Sequence, residues 1–416
     1  MSARPNAPIA ALDIGSSKIA CFVAKPDDDG KMKVSGVGHK LSRGIRAGVV
    51  VDMESAIESI CVTVIEAEAM AELQGKIKDV YVAYSGGPFV SETASASLRL
   101  DGSEIREPDL VRLHHDVCAP ALATEREWLH AIPLGYALDG TPNIRDPRGM
   151  FGVDLSTRVH MVGAYPAPLR NLALTVERCP LTIRRMVAAP YAAGLSTLVD
   201  DEFDLGCIVI DFGGGATGIA AFLDGHLIHV DSVSIGAGHI TSDIARGLTT
   251  TAAHAERLKT YFGGVIAGPS DDREGVEVPQ VGECERTAAS VVPRSALIGI
   301  IRPRVEEILE LVRDRIEAAG LARAVGRRIV LTGGGAQLAG LREVASRLLD
   351  KQARVGRPIR IRNLSETAGG PAFAACAGLL AFAAEHAREA IDLSAREEPT
   401  KRSRLARMGR WLRDNF

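Results

Sequence analysis

The chain has 416 residues, 46% of them hydrophobic and 24% charged, enough apolar material for more than one sizeable core. A net charge of −3 and a pI near 6.4 argue against a nucleic-acid protein. The average hides an asymmetry: Lys401 to Phe416 carries six basic residues against one acid, so this tail is +5 and the body −8, which points to an anionic surface met by the tail alone.

In chain order, Ile9 to Ala24 reads as a short apolar strand ending at Asp13, a tight polar turn and a second strand. A polar break at Pro26–Lys33 leads to a third strand-like run. Ser55–Ala71 has the spacing of an amphipathic helix, and Asp79–Ser85 alternates like a strand. Residues 86–165 carry turn clusters at Gly86-Gly-Pro88, Asp139-Gly-Thr-Pro142 and Asp146-Pro-Arg-Gly149. They read as an inserted α+β unit with strands near Val90–Leu100, Glu127–Leu138 and Arg158–Tyr165; Leu169–Glu177 is expected to be helical. Cys207 to Phe222 then repeats the opening plan, with Asp211 in the place of Asp13, a glycine run in the turn, and a third strand-like run after Asp224-Gly225. This is duplication at the scale of a domain.

Beyond it, one helix is expected over Asp243–Tyr261, a loop with short strands over 263–282, and a strongly amphipathic helix over Pro303–Ala319. Arg328–Thr332 reads as a strand leading into Gly333-Gly-Gly335. A helix over Leu341–Leu349, a short strand over 359–362 and an Ala-rich helix to about Glu389 complete the body, and 390–403 reads as a polar linker. The longest uncharged apolar run, Ala372–Ala384, is too short to span a bilayer and reads as a buried core helix. No basic region precedes the first apolar run, so no signal peptide is expected.

A glycine-rich turn exposes backbone N–H groups that bind phosphate oxygens, and a carboxylate beside it suits Mg²⁺, which keeps several waters and takes few protein ligands. Taken singly, each turn also fits an ordinary hairpin. Two matched turns, each led by an Asp, with a third strand–Gly-Gly-Gly element, point to a nucleotide. Lys18 is placed to neutralise a β- or γ-phosphate.

The order Asp13-Ile-Gly-Ser-Ser-Lys18, Asp211-Phe-Gly-Gly-Gly215, Thr332-Gly-Gly-Gly-Ala-Gln-Leu338 resembles the phosphate and adenosine motifs of the actin/Hsp70/sugar-kinase superfamily. Ser42-Arg-Gly44 with Gly48 and Asp52, Val80 to Gly86, Thr241 to Ala245 and Val276 to Pro279 resemble the bacterial cell-division FtsA family, over about residues 9–385 and again in the tail. The resemblance implies an actin-like, duplicated two-lobe α/β ATPase fold with an inserted α+β subdomain and a C-terminal amphipathic helix. Its division would be 1–85 with 166–198 (lobe I core), 86–165 (insert), 199–245 with 328–389 (lobe II core), 246–327 (a further lobe II subdomain), 390–403 (linker) and 404–416 (helix). It implies ATP and Mg²⁺ between the lobes. Asp13, Gly15, Ser16, Ser17, Lys18, Asp211, Gly213, Gly214 and Gly215 would face the phosphates, with Asp13 and Asp211 toward Mg²⁺, directly or through water. Gly333, Gly334, Gly335, Gln337, Glu256 and Lys259 would flank the adenosine.

One departure bears on chemistry. Many relatives follow the second glycine run with Thr and then Asp, in a Gly-Gly-Gly-Thr-x-Asp pattern; here those positions are Ala216 and Gly218. Binding through backbone N–H groups survives this, whereas at most slow hydrolysis is expected.

In the tail, Leu405, Met408, Leu412 and Phe416 fall on one side of a helix with Trp411 beside them, and Arg407, Arg410 and Arg413 lie opposite, with Arg404 flanking Trp411. The pattern suits an in-plane interfacial helix and equally a helix docked on protein. The resemblance selects the membrane: a peripheral protein on the cytoplasmic face of the inner membrane at the septum, held by anionic lipid. It further implies self-association, binding of the tubulin-like FtsZ, and recruitment of later division proteins. By the same analogy Arg294, Arg302 and Arg304 would face a partner, though a solvated helix face explains them too. The competing readings are a superfamily small-molecule kinase and an Hsp70-like or pilus-assembly ATPase.

The seven cysteines are scattered singly and read as reduced thiols. His114, His115 and His130 lack metal spacing and read as surface or capping residues, and Asp27 to Gly30 as a solvated turn.

Overall fold

A computed structural model describes residues 8–27, 31–73, 75–122, 124–281, 290–386 and 391. Its two principal sheets have the same plan, as the repeated opening requires. In lobe I, Ile9–Ile14 pairs antiparallel with Lys18–Pro26, which pairs with Met32–Leu41. On its other side the same strand lies parallel to Asp79–Tyr84, itself parallel to Thr182–Ala188. In lobe II, Cys207–Phe212, Thr217–Leu223 and His226–Val233 form the antiparallel half. Arg328–Thr332 and Gln352–Val355 form the parallel half. Parallel strands need crossovers. Helix Met53–Met70 supplies the first, its N-terminus capped by Asp52, whose carboxylate accepts from Ser55 N at 3.2 Å.

The crossover between Asp79–Tyr84 and Thr182–Ala188 carries the insertion: a four-stranded sheet of Phe89–Arg99, Asp154–Ala164, Glu127–Leu138 and Thr141–Ile144, backed by helix Glu107–Leu122, then helix Pro166–Glu177. A polar seam ties this unit to lobe II. Ser91 Oγ accepts from Val230 N at 2.8 Å, and Ser232 Oγ donates to Gly87 O at 3.0 Å.

Between the lobes run helices Ala189–Thr197 and Ala374–Ala381, every residue of both buried. Their small side chains permit a close crossing: a Cβ on Gly378 would lie 1.6 Å from the Ala192 carbonyl oxygen. This explains the Ala-rich composition of 372–384.

The structure revises several expectations. The helix expected over 243–261 is two, Ala237–Gly247 and Ala252–Phe262, broken where Thr249 adopts φ +52° and Thr251 caps the second. The helix expected from Pro303 begins at Arg294 and runs to Ala318. Pro303 lies in its interior, where it withholds one intrahelical hydrogen bond from Gly299 O. Residues 359–362 are not a strand of lobe II. Instead Arg362 bridges to Lys33 at the edge of lobe I, with Val34 N donating to Arg362 O at 3.1 Å. The Ala-rich helix gives way to a π-turn at Phe382–His386. His130 is neither exposed nor a cap: it is 1% exposed, its Nε2 accepting from Ala188 N at 3.0 Å beneath the rings of Tyr191 and Phe382. The tail helix lies outside the described residues, and no described helix is long and apolar enough to cross a membrane.

Candidate functional site

A cavity of about 650 Å³ opens between the lobes. Asp13 and Asp211 stand at equivalent places in it, each near the end of a first strand, each beside a parallel neighbour (Ala83 and Thr332). The turns that follow are tightened from within: Gly15 N donates to Lys18 O at 3.0 Å, and Gly213 N to Asp211 O at 2.9 Å. The start of helix Ala237–Gly247 fixes the second turn from behind, Ala237 N donating to Gly213 O and Gly238 N to Gly214 O, at 2.9 and 2.7 Å.

The two turns touch. A Cβ on Gly214 would lie 1.9 Å from Ser17 Oγ, and one on Gly215 would lie 2.4 Å from Ser16 Oγ and 2.8 Å from Ala47 Cα. Ser16 Oγ in turn accepts from Gly48 N at 2.8 Å, and Ser17 O from Ser42 N at 3.1 Å. The Ser42–Asp52 segment thus braces the first turn. At Gly333, φ is +82° and a Cβ would lie 2.4 Å from Asp211 Oδ1. Glycine is needed there for conformation and for space alike.

Burial pushes the Asp13 carboxyl up to about 6, opposed by Lys18. Asp211 is pushed up to about 7 by burial and then by the Asp13 carboxylate, again opposed by Lys18. Burial pulls the Lys18 ammonium down to about 8, with Asp13 resisting. Lys18 donates to Ala372 O and its Nζ lies 3.2 Å from the centroid of the Phe373 ring. Two buried carboxylates with one shared lysine make a site that gains from a further cation.

At the far end Lys259 Nζ donates to Glu256 Oε2, Thr241 Oγ1 and Ala237 O at 2.7, 2.8 and 3.1 Å. All the residues assigned above to phosphate, magnesium and adenosine line this one cavity. Among the described residues no cluster of three or more His, Cys, Asp or Glu side chains could hold a metal by protein ligands alone.

The three arginines sit differently. Arg294 lines the cavity, its guanidinium donating to Phe262 O at 2.9 Å and to the buried Asp271 at 2.7 Å. Arg304 pairs with Asp243 at 2.6 Å and also with Glu307, and Arg302 pairs with Glu306 at 2.8 Å. Sequence reasoning missed Ser85, Phe89, Ala189, Pro190, Ser232 and Tyr261 as cavity residues. Only the Ala-Pro at a strand-to-helix junction carried a local signal.

Comparison with known proteins supplies the family. The model described as "Cell division protein FtsA" matches residues 208–378, and "SHS2 domain inserted in FTSA" matches residues 86–163. The chain is 40% identical to the cell division protein FtsA of Rhizobium meliloti over 98% of its own length and 95% of the relative's. It is 32% identical to that of Escherichia coli K12, over 98% of each chain. Among solved structures it resembles the PilM–PilN type IV pilus biogenesis complex, with TM-score 0.63, 16% identity and coverage of 91% and 98%. It also resembles MreB5 of Spiroplasma citri bound to AMPPNP, with TM-score 0.53, 13% identity and coverage of 90% and 95%. The likeness to these structures is one of fold, actin-like and two-lobed. With full-length relatives at this identity, the chain belongs to the cell division protein FtsA family.

Proposed function

We propose that this chain is an ATP-binding adaptor that self-associates, tethers FtsZ to the cytoplasmic face of the inner membrane through its tail, and recruits later division proteins. The observation that carries the nucleotide half is the meeting of the two glycine turns, Ser16–Ser17 against Gly214–Gly215, over paired carboxylates. Their N–H groups would hold the phosphates, Lys18 would turn from Ala372 toward them, and Asp13 and Asp211 would hold Mg²⁺ directly or through water. Magnesium would supply the charge that lets both carboxylates ionise beside a polyphosphate. Gly333 to Gly335, Gln337, Glu256 and Lys259 would take the adenosine.

ATP serves as a conformational ligand in this reading, since Ala216 and Gly218 stand where the family pattern has Thr and Asp. The membrane half rests on the +5 tail with its apolar face and Trp411, for which each basic residue near an anionic surface contributes about 1 kcal/mol. Because one short helix binds reversibly, filament formation would strengthen attachment by multivalency.

Co-sedimentation with anionic liposomes, in ATP and Mg²⁺, tests it. The full chain should pellet and a chain ending at Thr400 should stay soluble. If both stay soluble, the tail docks on protein and the tether is wrong, while the nucleotide cleft is untouched. Pelleting with FtsZ filaments tests the partner, and its absence at micromolar protein favours a kinase or chaperone-like ATPase.

A further inference from the structure

Helix Met53–Met70 and helix Pro166–Glu177 pack side by side on lobe I. Cys179 follows the second of these, its thiol 3.3 Å from Thr175 O and 3.8 Å from Ile57 O. Ile57 is one helical turn before Cys61, so Cys179 reaches across the helix pair to the strip of the first helix that carries Cys61. Cys61 is half-buried at the edge of the lobe I core and open to solvent on one side, whereas Cys179 is 4% exposed.

The other described thiols offer no such arrangement. Cys21 and Cys376 are fully buried, and Cys118 and Cys207 are buried in separate parts of the fold. An open thiol backed by a closed one fits a pair in which the first is oxidised and the second resolves it.

We propose that Cys61 and Cys179 form a peroxide-driven, reversible disulfide, a modification site on the back of lobe I away from the nucleotide cavity. A hydroperoxide is the oxidant. The Cys61 thiolate attacks its O–O bond, takes one oxygen as sulfenic acid, and water or an alcohol leaves. Cys179 then attacks the Cys61 sulfur, the S–S bond forms, and the departing hydroxide takes the Cys179 proton as water. Two thiols and one hydrogen peroxide thus become one disulfide and two waters. Burial holds the Cys179 thiol up at about 12, which makes the second step the slower one and keeps Cys179 from reacting unaided. The bond would close a loop containing the whole insertion, residues 86–163, stapling helix Pro166–Glu177, to which the insertion returns, onto the helix before its departure.

The test uses the full reduced chain, treated with hydrogen peroxide and quenched with a thiol-alkylating agent. Tryptic mass spectrometry without reduction should show residues 47–76 joined to residues 179–184. Two thiols per chain should be lost, faster migration should appear in non-reducing gels, and dithiothreitol should reverse both. Tm should rise on oxidation in the wild type and stay unchanged in Cys61→Ala and Cys179→Ala. Should either variant fail to fold, the wild-type peptide map decides alone. Cys61 driven to sulfinic acid with Cys179 still alkylatable, or cross-links to other cysteines or between chains, overturns the proposal.

Discussion

Replacing Gly214 by Ala tests whether the contact between the lobes is what closes the cleft on a ligand. The added methyl would sit 1.9 Å from Ser17 Oγ and 2.9 Å from Ser17 Cβ. The hydroxyl can rotate away. The Cβ cannot, because Ser17 O is held by Ser42 N at 3.1 Å. Overpacking of this kind costs about 2 kcal/mol, felt only when the lobes are closed, which lowers affinity about 30-fold. With MgATP at about 100 times the wild-type Kd, binding stabilises the wild type by about 2.7 kcal/mol and the variant by about 0.9 kcal/mol. At about 2–4 °C per kcal/mol, the nucleotide-dependent rise in Tm should shrink from about 5–10 °C to about 2–3 °C. Scanning fluorimetry with and without MgATP reads this, and adding Ser17→Gly should recover part of the loss by removing the opposing Cβ. Binding within threefold of wild type would mean that Gly214 and Ser17 do not meet in the bound state, and the cleft reasoning would fail.

Two further perturbations probe the scaffold. Burial holds His130 and His160 down at about 3, His130 also feeling Arg185 and His160, and His160 also feeling His229, against about 6.5 in an unfolded chain. The unfolded state therefore binds more protons between these values. Each histidine should therefore cost about 1.4 kcal/mol of stability per unit as pH drops below about 6.5. The Asp13 and Asp211 carboxyls, raised to about 6 and about 7, bind protons in the folded state and act with the opposite sign over the same range. The histidine share is read as the difference between two sets of urea melts, the wild type losing about 1.4 kcal/mol per unit relative to His130→Asn between pH 6 and 4. Gly378→Ala would drive a methyl into the Ala192 carbonyl oxygen at 1.6 Å and force two buried helices apart. A loss of at least about 3 kcal/mol, read as a lower urea midpoint or insoluble expression, is expected, and a midpoint unchanged from wild type would contradict the close crossing.

Much of this architecture was legible because it is local. An apolar run ended by Asp13 or Asp211 and a tight turn dictates strand, turn and strand twice over, and the two sheets repeat one another strand for strand. What escaped depends on distant partners. Helix Glu107–Leu122 carries a buried stripe of Leu110, Leu113, Val117 and Ala121, readable as helical spacing but masked by His114, His115 and Pro120 within it. Pro303 reads as a helix start, since a proline suits the first turn, but Leu297 and Ile301 before it already bury the same helix in the lobe II core. His130 looks like any polar residue in a strand, and only the convergence of Ala188, Tyr191 and Phe382 makes it part of the core. Ser232 and Arg294 reach the cavity through topology, with no motif around them, and Ser85 stands in the Val80 to Gly86 segment, whose alternation shows a strand but not what the strand's end faces.

The departure at Gly218 is built into the packing as well as the sequence. Gly218 pairs with Asp211 and lines the cavity, but a Cβ there would lie 2.9 Å from Pro190 Cβ and 3.0 Å from its Cγ. Pro190 thus fills the space that a carboxylate at 218 would use. Thr217 is no substitute, since its hydroxyl is buried and donates to Ile235 O at 2.8 Å. Restoring the acid alone should therefore fail: Gly218→Asp would cost about 2 kcal/mol by overpacking and leave phosphate release from ATP at the wild-type rate. Combining it with Pro190→Ala gives the carboxylate room and should raise release about tenfold or more, toward the range a positioned base supplies. A malachite-green time course on the two variants and the parent decides between the alternatives. Faster hydrolysis from Gly218→Asp alone would show that Pro190 yields, and an unchanged rate in both variants would show that the missing carboxylate is not what limits turnover.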